Sequence, residues 1–224
     1  EDKARQLATE LVRVGKLAGK KTVGVITDMD EPLGNAIGNA LEVKEAIEVL
    51  KGEKKGELLE LCLTLGSCIL TQAGIAETED EARIMLQRGI DDGSALKKLA
   101  ELVEGQDGDP KAVYDTELLP KAPVQLEVKS EKAGFVKHIS AKDVGLVSMH
   151  LGGGRVTKES VIDLSVGVIL NKKVADRVEL DESLGVIHAQ TTEKAQEAAQ
   201  LLRNCYTIVD EPVEKSKFIK GIVK

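Results

Sequence analysis

The sequence predicts an α/β segment followed by a small α+β domain, and three observations carry that prediction. One short apolar, β-branched run, Lys21 to Thr27, sits among long stretches of helical periodicity. Pro120 and Pro123 then interrupt the chain. Beyond them come short β-rich runs separated by turn residues, the pattern of hairpins with interspersed helices. The division therefore falls at residues 1–120 and 121–224.

Taken in order, Glu1 to Gly19 repeats apolar residues at three or four (Ala4, Leu7, Leu11, Val14, Leu17), which predicts an amphipathic helix. It has neither an initiator Met nor an N-cap ahead of it, as expected of a sequence that starts inside a larger polypeptide. The run Lys21 to Thr27 reads as a buried parallel strand. Asp28-Met29-Asp30-Glu31-Pro32 and the small residues Gly34, Asn35 and Gly38 then lead into a helix over Asn39 to Leu50, the strand-to-helix step at which open α/β sheets place ligands. Glu57 to Ala73 is apolar on nearly every side, so burial all round is expected. Thr78 with Glu81 forms a capping box for a helix through Arg88, and Gly93-Ser94 opens another to about Val103. A lone strand cannot satisfy its edges or cover these helices, so its sheet partners are expected from residues outside the sequence.

In the second part, strands are predicted over Val124 to Val128, Gly134 to Ile139, Ser165 to Leu170, Leu184 to Ala189 and, last, Tyr206 to Val209. Helices are predicted over Ala141 to Leu151, Lys158 to Leu164 and Thr192 to Leu202.

Composition narrows the function. With 42% hydrophobic residues the 224-residue chain can build a core, and a formal net charge of −7 with interspersed lysines and acids argues against a nucleic-acid partner. No apolar run reaches the roughly 20 residues of a membrane helix and no signal peptide leads the chain, so a cytoplasmic location and no membrane partner are expected. Cys62 and Cys68 lie six apart on one helix, about 9 Å and beyond disulfide reach. With Cys205 they read as reduced core thiols.

Candidate chemistry is sparse. Gly15 and Gly19-Lys20 miss the P-loop spacing and precede a strand, and no GxGxxG is present. Gly152-Gly153-Gly154-Arg155 reads as a turn before it reads as an anion site. His138, His150 and His188 are dispersed, without metal or triad spacing. Asp28, Asp30 and Glu31 fit no EF-hand and read as a solvated turn. Leu33, Ala36 and Glu45 stand apart: glycines let the chain curl, leaving the first two carbonyls without helical partners, and one carboxylate follows two to three turns on. Two neutral carbonyls with one carboxylate suit a monovalent cation better than a transition metal.

The stretch DMDEPLGNAIGNALEVKEA, Asp28 to Ala46, resembles the pyrimidine nucleoside phosphorylase and thymidine phosphorylase family almost residue for residue. Leu61 to Gly66, Leu119 to Ala122 (LPKA), Leu151 to Gly167 and Lys172 to Val178 are similar to further family motifs in the same order. The resemblance implies a partial phosphate-binding α/β domain with one strand and several helices, then a C-terminal α+β domain with barrel-sandwich-like hairpins. The chain would be the C-terminal half of an enzyme that splits pyrimidine nucleosides with phosphate into base and pentose 1-phosphate.

It further implies a potassium ion on Leu33, Ala36 and Glu45, no organic cofactor, a homodimer, and catalytic and substrate-binding residues upstream, none of them in this segment. The 224 residues alone are expected to be inactive and, with exposed strand edges, prone to aggregate. Two departures from the family pattern stand out. Asp30-Glu31 replaces a frequent Ser-Gln, adding negative charge beside the ion, and Ala175-Asp176 and Leu180-Asp181 fall where glycine turns are usual, so those turns are expected to be reshaped. The rival reading is a non-catalytic carrier or assembly module, in which a lipoyl- or biotinyl-like hairpin presents Lys172 or Lys173 for acylation.

Overall fold

A computed structural model describes residues 1–224. In chain order it forms α1 (Asp2–Leu17), β1 (Gly24–Thr27), β2 (Ala36–Ile37), α2 (Asn39–Leu50), α3 (Glu57–Gln72), α4 (Glu79–Asp91), α5 (Ser94–Glu104) and α6 (Lys111–Tyr114). There follow β3 (Val124–Lys129), β4 (Gly134–Ile139), α7 (Ala141–Ser148), β5 (Gly167–Leu170), β6 (Arg177–Val178), β7 (Ser183–Ala189), α8 (Thr192–Asn204), β8 (Tyr206–Val209) and β9 (Ile219–Val223). These elements gather into two compact units, one of residues 1–28, 50–97 and 216–224, the other of residues 29–49 and 98–215. The units interleave along the chain, whereas the division at 120/121 is linear.

In the first unit the strand expected to stand alone has a partner. β1 pairs antiparallel with β9, Gly24 opposite Val223 and Ile26 opposite Gly221. The expectations of a parallel strand and of Tyr206–Val209 as the last strand are both corrected by β9. Its run IKGIV is cut by Lys220 and Gly221, so no period-2 pattern marks it. Beside this ribbon α1 turns its small residues inward: a Cβ on Gly24 would lie 3.2 Å from Ala8 and 3.5 Å from Val12. Val12 is the buried residue of α1, while Leu7, Leu11, Val14 and Leu17, the predicted apolar stripe, are exposed.

α3 likewise buries one face only. Leu63, Ser67 and Cys68 are inside, and Ile69 is 65% exposed, so burial all round is not observed. Cys62, about 100° around the helix from Leu63, is exposed, against its expected place in the core, whereas Cys68 and Cys205 are buried. α3 and α4 pack closely enough that a Cβ on Gly66 would meet Leu86 at 2.7 Å, and Arg83 grips the Glu60 carboxylate with both guanidinium nitrogens, at 2.9 and 2.5 Å. The N-cap of α4 is as predicted: Thr78 Oγ1 accepts from the Glu81 amide at 3.1 Å. The Glu81 carboxylate reaches the Glu77 amide, one residue ahead of the capping-box geometry.

The second unit carries two antiparallel sheets, ordered β2-β5-β7-β3 and β6-β4-β8. One core fills the space between them, with Val128, Val168, Leu170, Leu184 and Ile187 from the first sheet, Val136, Ile139, Val178 and Ile208 from the second, and Ala195, Ala198, Ala199 and Leu202 from α8. The alanines let α8 lie close on β3 and β7. The predicted helix Lys158 to Leu164 is absent. There the Ser160 hydroxyl takes the Thr157 amide and Asp163 takes the amide and hydroxyl of Ser165, local bonds that compete with a helical ladder. The helix predicted to reach Leu151 stops at Ser148 and passes into a π-turn over Met149–Gly153, which Gly152 ends at φ 107°. No helix of the chain is long and apolar enough to cross a membrane.

Candidate monovalent-cation loop

The loop between β1 and α2 folds onto the C-terminal sheet through glycine. At Gly38 (φ 146°) a Cβ would lie 2.5 Å from the Val166 carbonyl oxygen, and at Gly167 (φ 155°) one would lie 2.3 Å from the Ile37 carbonyl oxygen. Two main chains touch here, and only glycine on both sides permits it. β2 is thereby drawn onto the edge of the sheet, Ala36 opposite Ile169 and Ile37 opposite Val168. Asn35 ends the ladder twice over: its carbonyl accepts from the Leu170 amide at 2.7 Å and its side-chain amide donates to the Leu170 carbonyl at 2.9 Å.

That register decides which way Ala36 faces. Asn35 and Ile37 hold the positions that bond across to β5, so Ala36 directs both its N–H and its C=O away from the sheet. Its amide donates to Glu45 Oε2 at 3.0 Å, and the Asn35 amide donates to both oxygens of that carboxylate at 2.9 and 3.1 Å. The Ala36 carbonyl thus lies on the Glu45 side. Glu45, in the second turn of α2, is only 4% exposed. Gly34 makes room for it, since a Cβ there would sit 2.2 Å from Oε2. Asn39 steadies the helix start by donating to the Gly153 carbonyl at 2.9 Å, so the Gly152-Gly153-Gly154 turn serves as an anchor for α2.

Of the three predicted ligands, the structure brings Ala36 and Glu45 to one side of one loop and places Leu33 next to the glycine that gives Glu45 its room. The donor set, two main-chain carbonyls and a desolvated carboxylate, fits a hard monovalent ion. No group of three His, Cys, Asp or Glu side chains converges in the chain.

Lys173, from the turn after β5, is the residue that spacing did not reveal. Its ammonium donates to the carbonyl of Pro32 and, at 3.1 Å, to that of Gly34, the two carbonyls that flank Leu33. It also pairs with Glu31 at 3.7 Å. Glu31, expected in a solvated turn, has a side chain only 11% exposed, because it pairs with Lys215 at 3.5 Å and accepts the Val174 amide at 2.9 Å besides. Asp28 is tied to Lys220 at 2.8 Å and Ser216 at 3.0 Å. The signal for Lys173 was the Lys172-Lys173 pair itself, which resembled a family motif without suggesting a partner. The carrier reading needs one of these lysines free at a hairpin tip. Lys173 is 13% exposed and engaged as described, and Lys172 pairs with Glu182 at 2.5 Å and donates to the Arg177 carbonyl at 2.8 Å.

The turn that presents Lys173 holds a residue other than glycine at its third position. The Asp176 amide bonds the Lys173 carbonyl at 3.1 Å, with Ala175 in third position at φ 75°. Asp181 repeats the arrangement at φ 62°, in a turn closed by the Glu182 amide on the Glu179 carbonyl at 3.2 Å. Both turns were expected to be reshaped where glycine is missing. Each holds a non-glycine residue in the left-handed region that the third position of a type II turn demands.

The histidines remain dispersed. His150 meets Glu197 at 3.1 Å on the surface, His138 lies exposed in β4, and His188 is buried in β7, where desolvation and then the Lys44 charge hold its pKa below the ordinary value. Burial also pushes the Cys205 thiol up to about 11, with Asp143 adding to the effect. Tyr206 sends its hydroxyl toward the Lys172 and Leu184 carbonyls at 3.0 and 3.1 Å, and burial raises its pKa strongly.

Residues 1–96 match the glycosyl transferase family, a/b domain, and residues 135–209 match the pyrimidine nucleoside phosphorylase C-terminal domain. Similar curated proteins include pyrimidine-nucleoside phosphorylases of Staphylococcus aureus. That of strain bovine RF122 / ET3-1 is 44% identical over 221 residues, and those of strains MSSA476 and MW2 are 43% identical over the same length. Each alignment covers 99% of this chain and 51% of the relative, so the chain spans about half the length of the curated relatives it matches.

Proposed function

We propose, on the premise that this chain belongs to the pyrimidine nucleoside phosphorylase family, that it works within a pentosyltransferase that cleaves pyrimidine nucleosides with phosphate to free base and pentose 1-phosphate. The observation that carries this reading is the alignment of 99% of the chain at 44% identity with a relative of that name. Because the chain aligns with 51% of that relative, its part is the scaffold and a portion of a potassium site, and the reacting groups come from elsewhere in the enzyme.

The reaction needs donors for phosphate, a site that stabilises the departing pyrimidine anion, and an environment for a sugar with oxocarbenium character. The loop described above offers none of these directly, since its polar groups bind main chain. It can hold an ion that orients others. The carbonyls of Leu33 and Ala36 and the Glu45 carboxylate would hold potassium, which when bound supplies a fixed positive charge beside the phosphate segment of the enzyme. The Asn35 and Ala36 amides keep the Glu45 carboxylate in place for that task. The working enzyme is a cytoplasmic homodimer with pyrimidine nucleoside and phosphate as substrates and no organic cofactor.

Two measurements test this. The 224-residue chain alone releases no uracil or thymine from uridine or thymidine with phosphate. A chimera in which it replaces the matching residues of a Staphylococcus aureus relative does so, with a potassium dependence that Glu45→Gln removes. A potassium-dependent chimera that is indifferent to Glu45→Gln would defeat the site, and an inactive but folded chimera would defeat the proposed role.

A further inference from the structure

Resting on the cation site just proposed, we infer that Lys173 is a positioning and specificity-determining residue that makes the site select a monovalent over a divalent cation. The observation is that two side chains of opposite charge clamp the same five residues, 32–36. Lys173 takes the Pro32 and Gly34 carbonyls, and Glu45 takes the Asn35 and Ala36 amides. Leu33 lies between the two carbonyls held by the ammonium, so Lys173 limits how the Leu33 peptide can turn.

The charges decide what such a loop accepts. Glu45 is a buried carboxylate, 4% exposed, Glu31 is a partly buried one with its side chain 11% exposed, and Asp30 adds an exposed one. Lys173 and the more exposed Lys215 face Glu31 from the turn after β5 and from the segment after β8. With both lysines in place Glu31 is offset, and the negative charge left beside the loop suits an alkali ion better than a divalent one, whose desolvation costs more. Removing Lys173 makes the surroundings more negative by one charge, and a doubly charged ion gains twice what a singly charged ion gains from that change. The same arithmetic explains Asp30-Glu31. The negative charge that was expected to tighten the ion is neutralised at Glu31 by Lys173 and Lys215, so the loop retains its monovalent balance.

The test is cation-dependent thermal stability of the Staphylococcus aureus chimera, which completes the site, at constant ionic strength in choline chloride, titrated separately with KCl and CaCl2. In the unsubstituted chimera potassium raises the melting temperature at lower concentration than its charge alone would predict for a site open to calcium. Lys173→Met shifts the ratio of half-saturating concentrations about tenfold toward calcium, and Lys173→Arg restores the wild-type ratio. Loosening of the loop alone would weaken both ions together and leave the ratio unmoved, which overturns the inference.

Should Lys173→Met not fold, Glu31→Gln carries the test in the opposite sense, moving the ratio toward potassium, and an unmoved ratio there overturns it equally. A potassium response abolished by Glu45→Gln with a ratio indifferent to residue 173 leaves the site standing and removes the role of Lys173. A folded chimera without any cation response removes the site and the inference with it.

Discussion

Replacing Ala175 by glycine relieves a strain that the structure locates to one dihedral. Ala175 sits at φ 75° in the turn that carries Lys173, where its amide donates to the Val136 carbonyl at 2.8 Å and the Asp176 amide donates back to Lys173. An L-residue in the left-handed region costs about 1–2 kcal/mol, which glycine does not incur. Against that, glycine frees the unfolded chain by about 0.5–1 kcal/mol. The net expectation is a stabilisation of about 0.5–1 kcal/mol, or roughly 2–3 °C for a cooperative unit of roughly 140 residues. Urea and thermal unfolding of Ala175→Gly beside wild type, followed by far-ultraviolet circular dichroism, measure it. Asp181→Gly is the control, because Asp tolerates this region far better and its gain should be near zero. If Ala175→Gly lowers stability by the half to one kcal/mol that glycine costs at an ordinary position, the turn is not strained and the reasoning fails.

At Gly34 alanine would force its Cβ to 2.2 Å from Glu45 Oε2. Displacing that carboxylate from the Asn35 and Ala36 amides should cost about 2–4 kcal/mol in denaturant unfolding and abolish the potassium response. Burial holds the pKa of His188 below its ordinary value of 6.5, so the unfolded chain binds the proton first. Its contribution is therefore complete above that value and is lost as pH falls through it toward the depressed folded pKa. The urea midpoint of wild type should drop more between pH 7.5 and 5.5 than that of His188→Gln, and equal drops would refute the buried neutral state. Thiol labelling of the native chain at pH 8 should modify the exposed Cys62 first, with Cys68 and Cys205 reacting only after denaturant is added, as mass spectrometry of the peptides would show.

How much of this was legible beforehand varies with the range of the signal. The α4 cap at Thr78, the strands Val124–Lys129, Gly134–Ile139 and Ser183–Ala189, and the helix Thr192–Asn204 all stand within a few residues of where periodicity and turn chemistry placed them. Those signals are local, since each depends on neighbours within one or two turns. Failure came where a local bond or a distant partner prevails. Lys158–Leu164 has helical spacing, yet Asp163 and Ser160 spend their side chains on nearby main chain. α3 has apolar residues on every side, but which of them are covered depends on what packs there.

The amino-acid sequence by itself determined the family, most of the helices and hairpins, and the presence of an acidic residue, Glu45, at helical distance from a glycine-rich curl. Tertiary structure alone decided that β9 pairs with β1, that Ala36 faces Glu45, and that a lysine from beyond β5 clamps the carbonyls on either side of Leu33. The reason is physical. A period records which face of an element is apolar, whereas strand pairing and side-chain bonds to main chain join residues far apart along the chain and leave no repeating trace in either segment.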